Sequence, residues 1–141
     1  MIILDTNVLS EFMRADPSPR VVAWIGEQPG PELFTTTVTE AEIYYGIELL
    51  AKGKRRQKLL EVAEAMFEID MGGRIFSFES DAARAFADIA AQRRALGQPI
   101  SHADAQIAAI AQVRKATLAT RNVADFQHCG IVVLDPWDDS R

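Results

Sequence analysis

Three acidic residues, Asp5, Glu42 and Asp104, carry the chemistry that this sequence offers. Asp5 closes the apolar run from Ile2 to Leu4, and Glu42 stands one turn into a helical segment beginning near Thr39. Asp104 follows Ser101-His102-Ala103, on a segment whose apolar side is Ile107, Ala108, Ile110 and Ala111. That periodicity puts Asp104 on the core-facing side of the first helical turn. A carboxylate there is costly unless it is paired, hydrogen-bonded or bound to a cation. If all three meet in one crevice their charges repel, and at least one takes up a proton. A hard divalent ion removes the conflict, because Mg²⁺ prefers oxygen donors, keeps several waters and takes one or two carboxylates directly. Such an ion polarises a phosphoryl oxygen and lowers the pKa of a bound water, the requirements of phosphodiester hydrolysis. Asp5 and Asp104 are the expected direct ligands. Glu42 is expected to bind a second ion, to bind through water, or to orient the attacking water as a general base.

Each acid also has a structural reading. Asp5 is placed to cap a short helix around Val8 to Met13. Thr39-x-x-Glu42 has the form of a capping box, although Thr37-x-x-Glu40 offers the same helix a rival one. Asp104 lies three residues beyond Ser101, but Asp is too short to reach back well as a capping-box partner. A fourth segment, Ala119 to Phe126, follows a further apolar run. There Thr120 and Asn122 are able to hydrogen-bond near a phosphate or a metal-bound water, and Asp125 adds a carboxylate. The structural alternative is a turn with a helix cap at Asn122.

These residues need a scaffold that brings distant segments together. Short unbroken apolar runs at Ile2 to Leu4, Leu33 to Thr36, Ile75 to Phe78, Thr117 to Ala119 and Ile131 to Leu134 read as strands buried on both faces. Helices are expected between them. One is capped by Ser18 with Pro19 in its first turn, and others span about 39–51 and 55–71, the latter stopped by Gly72-Gly73. Ser80 caps a helix carrying Phe86, Ile89, Ala90 and Arg93, closed by Gly97 and Pro99, and Ser101 caps the last. The alternation predicts a three-layer α/β fold with a mostly parallel central sheet of about five strands flanked by helices. In such a sheet the site lies beyond the carboxyl ends of the strands, where strand order reverses.

With 141 residues, the chain suits one domain over 1–141. Its lone cysteine, Cys129, excludes an internal disulfide and reads as a small core residue. No segment approaches the roughly 20 apolar residues of a membrane span, and Met1 to Asp5 lacks the features of a signal peptide. A cytoplasmic protein is expected. A net charge of −5 argues against a nucleic-acid partner, which usually needs a basic surface. Against that, Lys52, Lys54, Arg55, Arg56 and Lys58 form one basic run that either guides RNA or is a solvated helix start.

Four segments, in order, give the chain a family resemblance. Ile3-Leu4-Asp5-Thr6-Asn7-Val8-Leu9-Ser10, Thr37-Val38-Thr39-Glu40-Ala41-Glu42-Ile43-Tyr44-Tyr45-Gly46, Ser101-His102-Ala103-Asp104-Ala105-Gln106-Ile107 and Ala119-Thr120-Arg121-Asn122-Val123-Ala124-Asp125-Phe126 together resemble the PIN-domain nucleases of the VapC and FitB toxin type. The resemblance covers essentially the whole chain. It implies a PIN fold, Mg²⁺- or Mn²⁺-dependent endoribonuclease activity against RNA such as tRNA or rRNA, a homodimer, and a cognate antitoxin that blocks the acidic pocket. The family's acidic positions fall on Asp5, Glu42 and Asp104. Many members have a fourth acid where this chain has Asn122, so that position falls to the Asn122 carbonyl or to Asp125 nearby. Thr6, Asn7 and Thr120 are the accompanying candidates for substrate binding. Tyr44-Tyr45 and the helix carrying Leu59, Leu60 and Phe67 suit either an interface or the core, and core packing is the expectation.

Other classes fit less well. Aspartyl-phosphate phosphatases carry a second Asp where this chain has Asn7, and a late Lys where it has Thr120-Arg121-Asn122. A receiver-like module also needs an acidic pair and that Lys. A non-catalytic member of the fold predicts erosion of the acids, and all three are present. DNA cleavage is the nearest competitor, since only substrate shape and the 2′-hydroxyl differ.

Overall fold

A computed structural model describes residues 1–138. Its elements follow the order β1 (Ile2–Leu4), α1 (Thr6–Phe12), α2 (Pro19–Gly26), β2 (Leu33–Thr36), α3 (Thr37–Glu48), α4 (Lys54–Ala65), β3 (Ile75–Phe76), α5 (Ser80–Ala95), α6 (His102–Arg114), β4 (Thr117–Ala119) and β5 (Val133–Leu134). The five strands form one sheet in the order β3-β2-β1-β4-β5, and every pairing is parallel. This is the expected three-layer α/β architecture. The chain winds outward first through β2 and β3, then returns to β4 and β5 on the other side of β1. The order therefore reverses between β1 and β4, which is where a crevice must open.

Period-two alternation divides the core. Ile3 and Leu118 join the cluster built by Ile89 of α5 and Ile107 and Ile110 of α6. Their neighbours Leu4 and Ala119 point the other way, toward Val8, Val21, Trp24, Ile43 and Ile47. Helices α1 to α4 thus cover one face, and α5 and α6 cover the other. Helix α6 is sunk most deeply: Ala105 and Ile107 to Ala111 are all buried. Cys129 is buried in the same layer, as expected.

Several boundaries differ from expectation. β3 and β5 are two residues each; Ser77-Phe78 and Ile131-Val132 lie outside the paired residues, although the Val132 carbonyl accepts from the Leu118 amide at 2.9 Å. Ser80 is the first residue of α5, not its cap; Glu79 holds that place without a side-chain bond. The helix read over 55–71 is α4 followed by a π-helical turn, Met66–Asp70, ahead of the Gly72-Gly73 stop. Ser18 and Ser101 do cap their helices, accepting from the amides of Val21 and Asp104. Phe67 is buried and packs 5.6 Å from the half-buried Tyr44, whereas Tyr45 is exposed. No helix among the described residues is long and apolar enough to cross a membrane.

Candidate active site at the carboxyl ends of β1 and β4

Asp5 is both a cap and a crevice residue, because its two oxygens do different work. Oδ1 accepts from the Thr6 amide at 2.8 Å and caps α1. Oδ2 accepts from the Thr120 hydroxyl at 2.7 Å, across the β1–β4 junction. The main chain is tied at the same point, since the Asp5 amide donates to the Ala119 carbonyl at 3.0 Å.

Thr120 is the hub of this corner. Its hydroxyl donates to Asp5 and accepts from Asn7 Nδ2 and from the Asn122 amide, each at 3.1 Å. One proton and two lone pairs are thereby fully used. Asn7 also reaches Asp5 Oδ2 at 3.4 Å and accepts from the Arg121 amide at 3.1 Å, so it stitches the β1 exit to the β4 exit. Asn122 enters this network through its main chain; it opens the 3₁₀ turn Val123–Phe126 without a side-chain cap bond.

Helix α3 starts earlier than the sequence suggested. Thr36, not Thr37 or Thr39, is the cap, accepting from the Thr39 amide at 3.1 Å. Neither capping box forms, and Glu42 is released from any capping duty. Its Oε1 accepts from the Thr6 hydroxyl at 2.6 Å, and the buried Thr39 hydroxyl lies 3.1 Å from the same Thr6 oxygen. Sequence reading missed Thr36 and Thr39 in this role. The visible signal was the threonine cluster Thr35-Thr36-Thr37 at a strand-to-helix junction.

Asp104 sits in the first turn of α6, half-buried. Its carboxyl is pushed up to about 6, by burial first and then by the Asp5 charge, with smaller contributions from Asp125 and Glu42, while Ser101 hydrogen bonding opposes the rise. The Asp5 carboxyl is also raised, again chiefly by burial. Hydrogen bonds from Thr120 and Thr6 pull it back, and the charges of Glu42 and Asp125 push it further up. The structure therefore brings Asp5, Glu42, Asp104 and the exposed Asp125 within electrostatic reach of one another. The end of β1 supplies Asp5, the first turn of α6 supplies Asp104, the second turn of α3 supplies Glu42, and a 3₁₀ turn supplies Asp125.

An all-oxygen set of this kind, with no nitrogen or sulfur donor, suits a hard divalent ion. Among the described residues no three His, Cys, Asp or Glu side chains are gathered into a ready-made ion-binding group. Direct contact by one or two carboxylates, completed by water, is the arrangement that such spacing allows.

A groove of about 720 Å³ leads away from Thr6 and Glu42 between α1, α3 and α4. Met13, Ile47 and Leu59 form its apolar lining, and Arg14, Arg55 and Lys58 bring positive charge to it. The basic run thus falls at the start of α4, where Arg56 pairs with Glu48 at 2.6 Å.

The PIN domain family model matches residues 2–130. Over 138 residues the chain is 37% identical to "VapC ribonuclease Y4jK" of Sinorhizobium fredii, covering 98% of this chain and 99% of that one. It is also 37% identical over 139 residues to "Toxin FitB" of Neisseria gonorrhoeae, covering 99% of this chain and all of the relative. Among solved structures, a chain of "FitAB bound to IR36 DNA fragment" superposes with a TM-score of 0.91 at 36% identity, covering 98% of this chain and 96% of that chain. The chain belongs to the PIN-domain family.

Proposed function

We propose that this protein is a metal-dependent endoribonuclease acting as the toxin of a toxin–antitoxin pair, restrained by a cognate antitoxin. The observation that carries this reading is the gathering of four carboxylates at the β1–β4 switch point, where burial first and neighbouring negative charge second raise Asp5 and push Asp104 up to about 6. Clustered acids held at a strand-order reversal are costly for a fold and suited to binding a cation beside a phosphodiester. The names of the relatives, a ribonuclease and a toxin, support the same substrate and role.

In this proposal Asp5 and Asp104 hold Mg²⁺ or Mn²⁺, with Asn122 or Asp125 completing the set through an oxygen. When bound, the ion would supply Lewis-acid stabilisation of a phosphoryl oxygen and a more acidic water. Glu42, oriented by Thr6, accepts a proton from the attacking water. Thr6, Asn7 and Thr120 spend their hydrogen-bonding groups on these acids, on one another and on the main chain of 121–122. We therefore assign them to orienting carboxylates in place of binding substrate. The protein is proposed to work as an assembly, a homodimer that an antitoxin engages; its likeness to a chain of the FitAB complex supports a partnered state.

The test is direct. Antitoxin-free protein is incubated with total RNA and with single-stranded DNA, in Mg²⁺ or in EDTA. Discrete RNA fragments are expected only with the ion, and none from Asp5→Asn or Asp104→Asn. Cleavage in EDTA, or cleavage of DNA alone, would overturn the reading.

A further inference from the structure

Among the described residues Arg93 is the one buried arginine, only 5% exposed on the inner side of α5. A buried guanidinium normally faces a carboxylate, but among the described residues Arg93 makes no ion pair. Its partners are main-chain carbonyls. Nε donates to the Gln98 carbonyl at 2.6 Å, and Nη1 donates to the carbonyls of Asp125 and Gln127 at 2.7 and 3.0 Å. The same nitrogen lies 3.8 Å from Cys129 Sγ.

Two of those carbonyls, at Asp125 and Gln127, bracket the C-terminal end of the 3₁₀ turn Val123–Phe126, where unsatisfied carbonyls gather negative partial charge. The other end of that turn is tied to the site. The Asp125 amide donates to the Asn122 carbonyl at 3.0 Å, the Asn122 amide donates to Thr120 Oγ1, and Thr120 donates to Asp5 Oδ2. A continuous chain of hydrogen bonds therefore runs from α5 to Asp5 through the turn. A planar guanidinium with several fixed donors serves three carbonyls at once, which an ammonium on a flexible stem does not match.

We propose that Arg93 is a positioning residue that clamps the Asn122–Gln127 turn from behind and so sets Thr120, Asn122 and Asp125 around Asp5. Its effect on turnover rests on the nuclease reading given above; the clamp itself does not. Retention of a desolvated cation with only neutral acceptors follows from this role, because the acceptors it satisfies all lie in or beside the segments that the site requires.

The experiment compares Arg93→Lys, Arg93→Met and Asp125→Asn in the full chain, by amide hydrogen exchange and by RNA cleavage. Arg93→Met is expected to speed exchange across 122–127, including the Asn122 amide, while α6 keeps its protection. It is expected to lower kcat about tenfold to a hundredfold with KM within about twofold. Arg93→Lys, which holds one or two carbonyls, is expected to recover part of both losses. In an Asp125→Asn background the kcat penalty of Arg93→Met should shrink. Unchanged exchange across the turn in Arg93→Met overturns the clamp, and a loosened turn with kcat untouched overturns its role in positioning the site. Should Arg93→Met fail to fold, the lysine variant decides by the same two readouts. If the wild type cleaves no RNA, the nuclease reading falls, and exchange at the Asn122 amide alone decides the clamp.

Discussion

The Thr6 hydroxyl donates a 2.6 Å hydrogen bond to Glu42 Oε1 across 36 positions of sequence, joining the start of α1 to the second turn of α3. The residue beside Asp5 thus orients the second acid of the site, so one short segment after β1 governs two carboxylates. Thr6→Val keeps the side-chain shape and removes the donor. It is expected to lower kcat about tenfold, the scale of a mispositioned general base, with unfolding midpoint little changed. Single-turnover cleavage beside thermal unfolding checks this; equal rates would detach Glu42 from catalysis.

Asp5 divides its two oxygens between a cap and the crevice, and substitutions separate the duties. Asn retains an acceptor able to cap, so Asp5→Asn is expected to abolish cleavage while leaving denaturant stability nearly intact. Asp5→Ala loses both and should cost about 1 kcal/mol of stability as well. Urea titrations of the two variants give the comparison.

Asp104 makes the metal-free protein sensitive to pH. Its folded carboxyl titrates at about 6 against an ordinary value of 3.8. Between those values the native state holds a proton that the unfolded state has released. Stability is therefore highest below the ordinary value and is lost as pH rises through about 6. Half-burial lets solvent screen part of the effect. Asp104→Asn in EDTA is expected to raise Tm by about 2–4 °C at pH 7.5 and by nothing at pH 4. A Tm gain of equal size at both pH values would remove the electrostatic explanation.

The proposed Mg²⁺ would act on the same cluster from the other side. At a hundredfold excess over its dissociation constant, an ion that binds only the folded state adds about 2.7 kcal/mol. A rise in Tm with Mg²⁺ at pH 7.5 is expected, smaller at pH 5, where Asp104 holds a proton. Calorimetric scans of the wild type and of Asp5→Asn, which should lose most of the response, test it.

Asp125 and Asn122 compete for the fourth position. Asp125 presses electrostatically on both Asp5 and Asp104, while Asn122 reaches the network through its amide. Asp125→Asn is accordingly expected to weaken ion affinity more than Asn122→Ala, read by titrating Mn²⁺ against either variant. The opposite ranking would hand the position to the Asn122 carbonyl.

Much of this arrangement is legible in the sequence because buried parallel strands announce themselves as short apolar runs. β1, β2 and β4 fall where the runs do, and Asp5 falls at the end of the first. The edge strands were harder, since pairing on a single side leaves less of the run in the ladder. Thr36 was hidden because it ends β2 and caps α3 at once, so its strand pattern masked its cap. Arg93 was visible at a helical core position beside Ile89, but its acceptors are main-chain carbonyls that no side-chain pattern encodes. Glu42 was ambiguous until the true cap removed its competing use.

The central pairing of β1 with β4 has a consequence for biosynthesis. Asp5 is synthesised well before its partner, because the Thr120 hydroxyl that donates to it lies 115 residues later in the chain. Until β4 is made, β1 lacks the neighbour that builds the crevice. On the proposed reading as a nuclease toxin, a chain cut short before Thr120 lacks that corner of the crevice and is expected to be inactive.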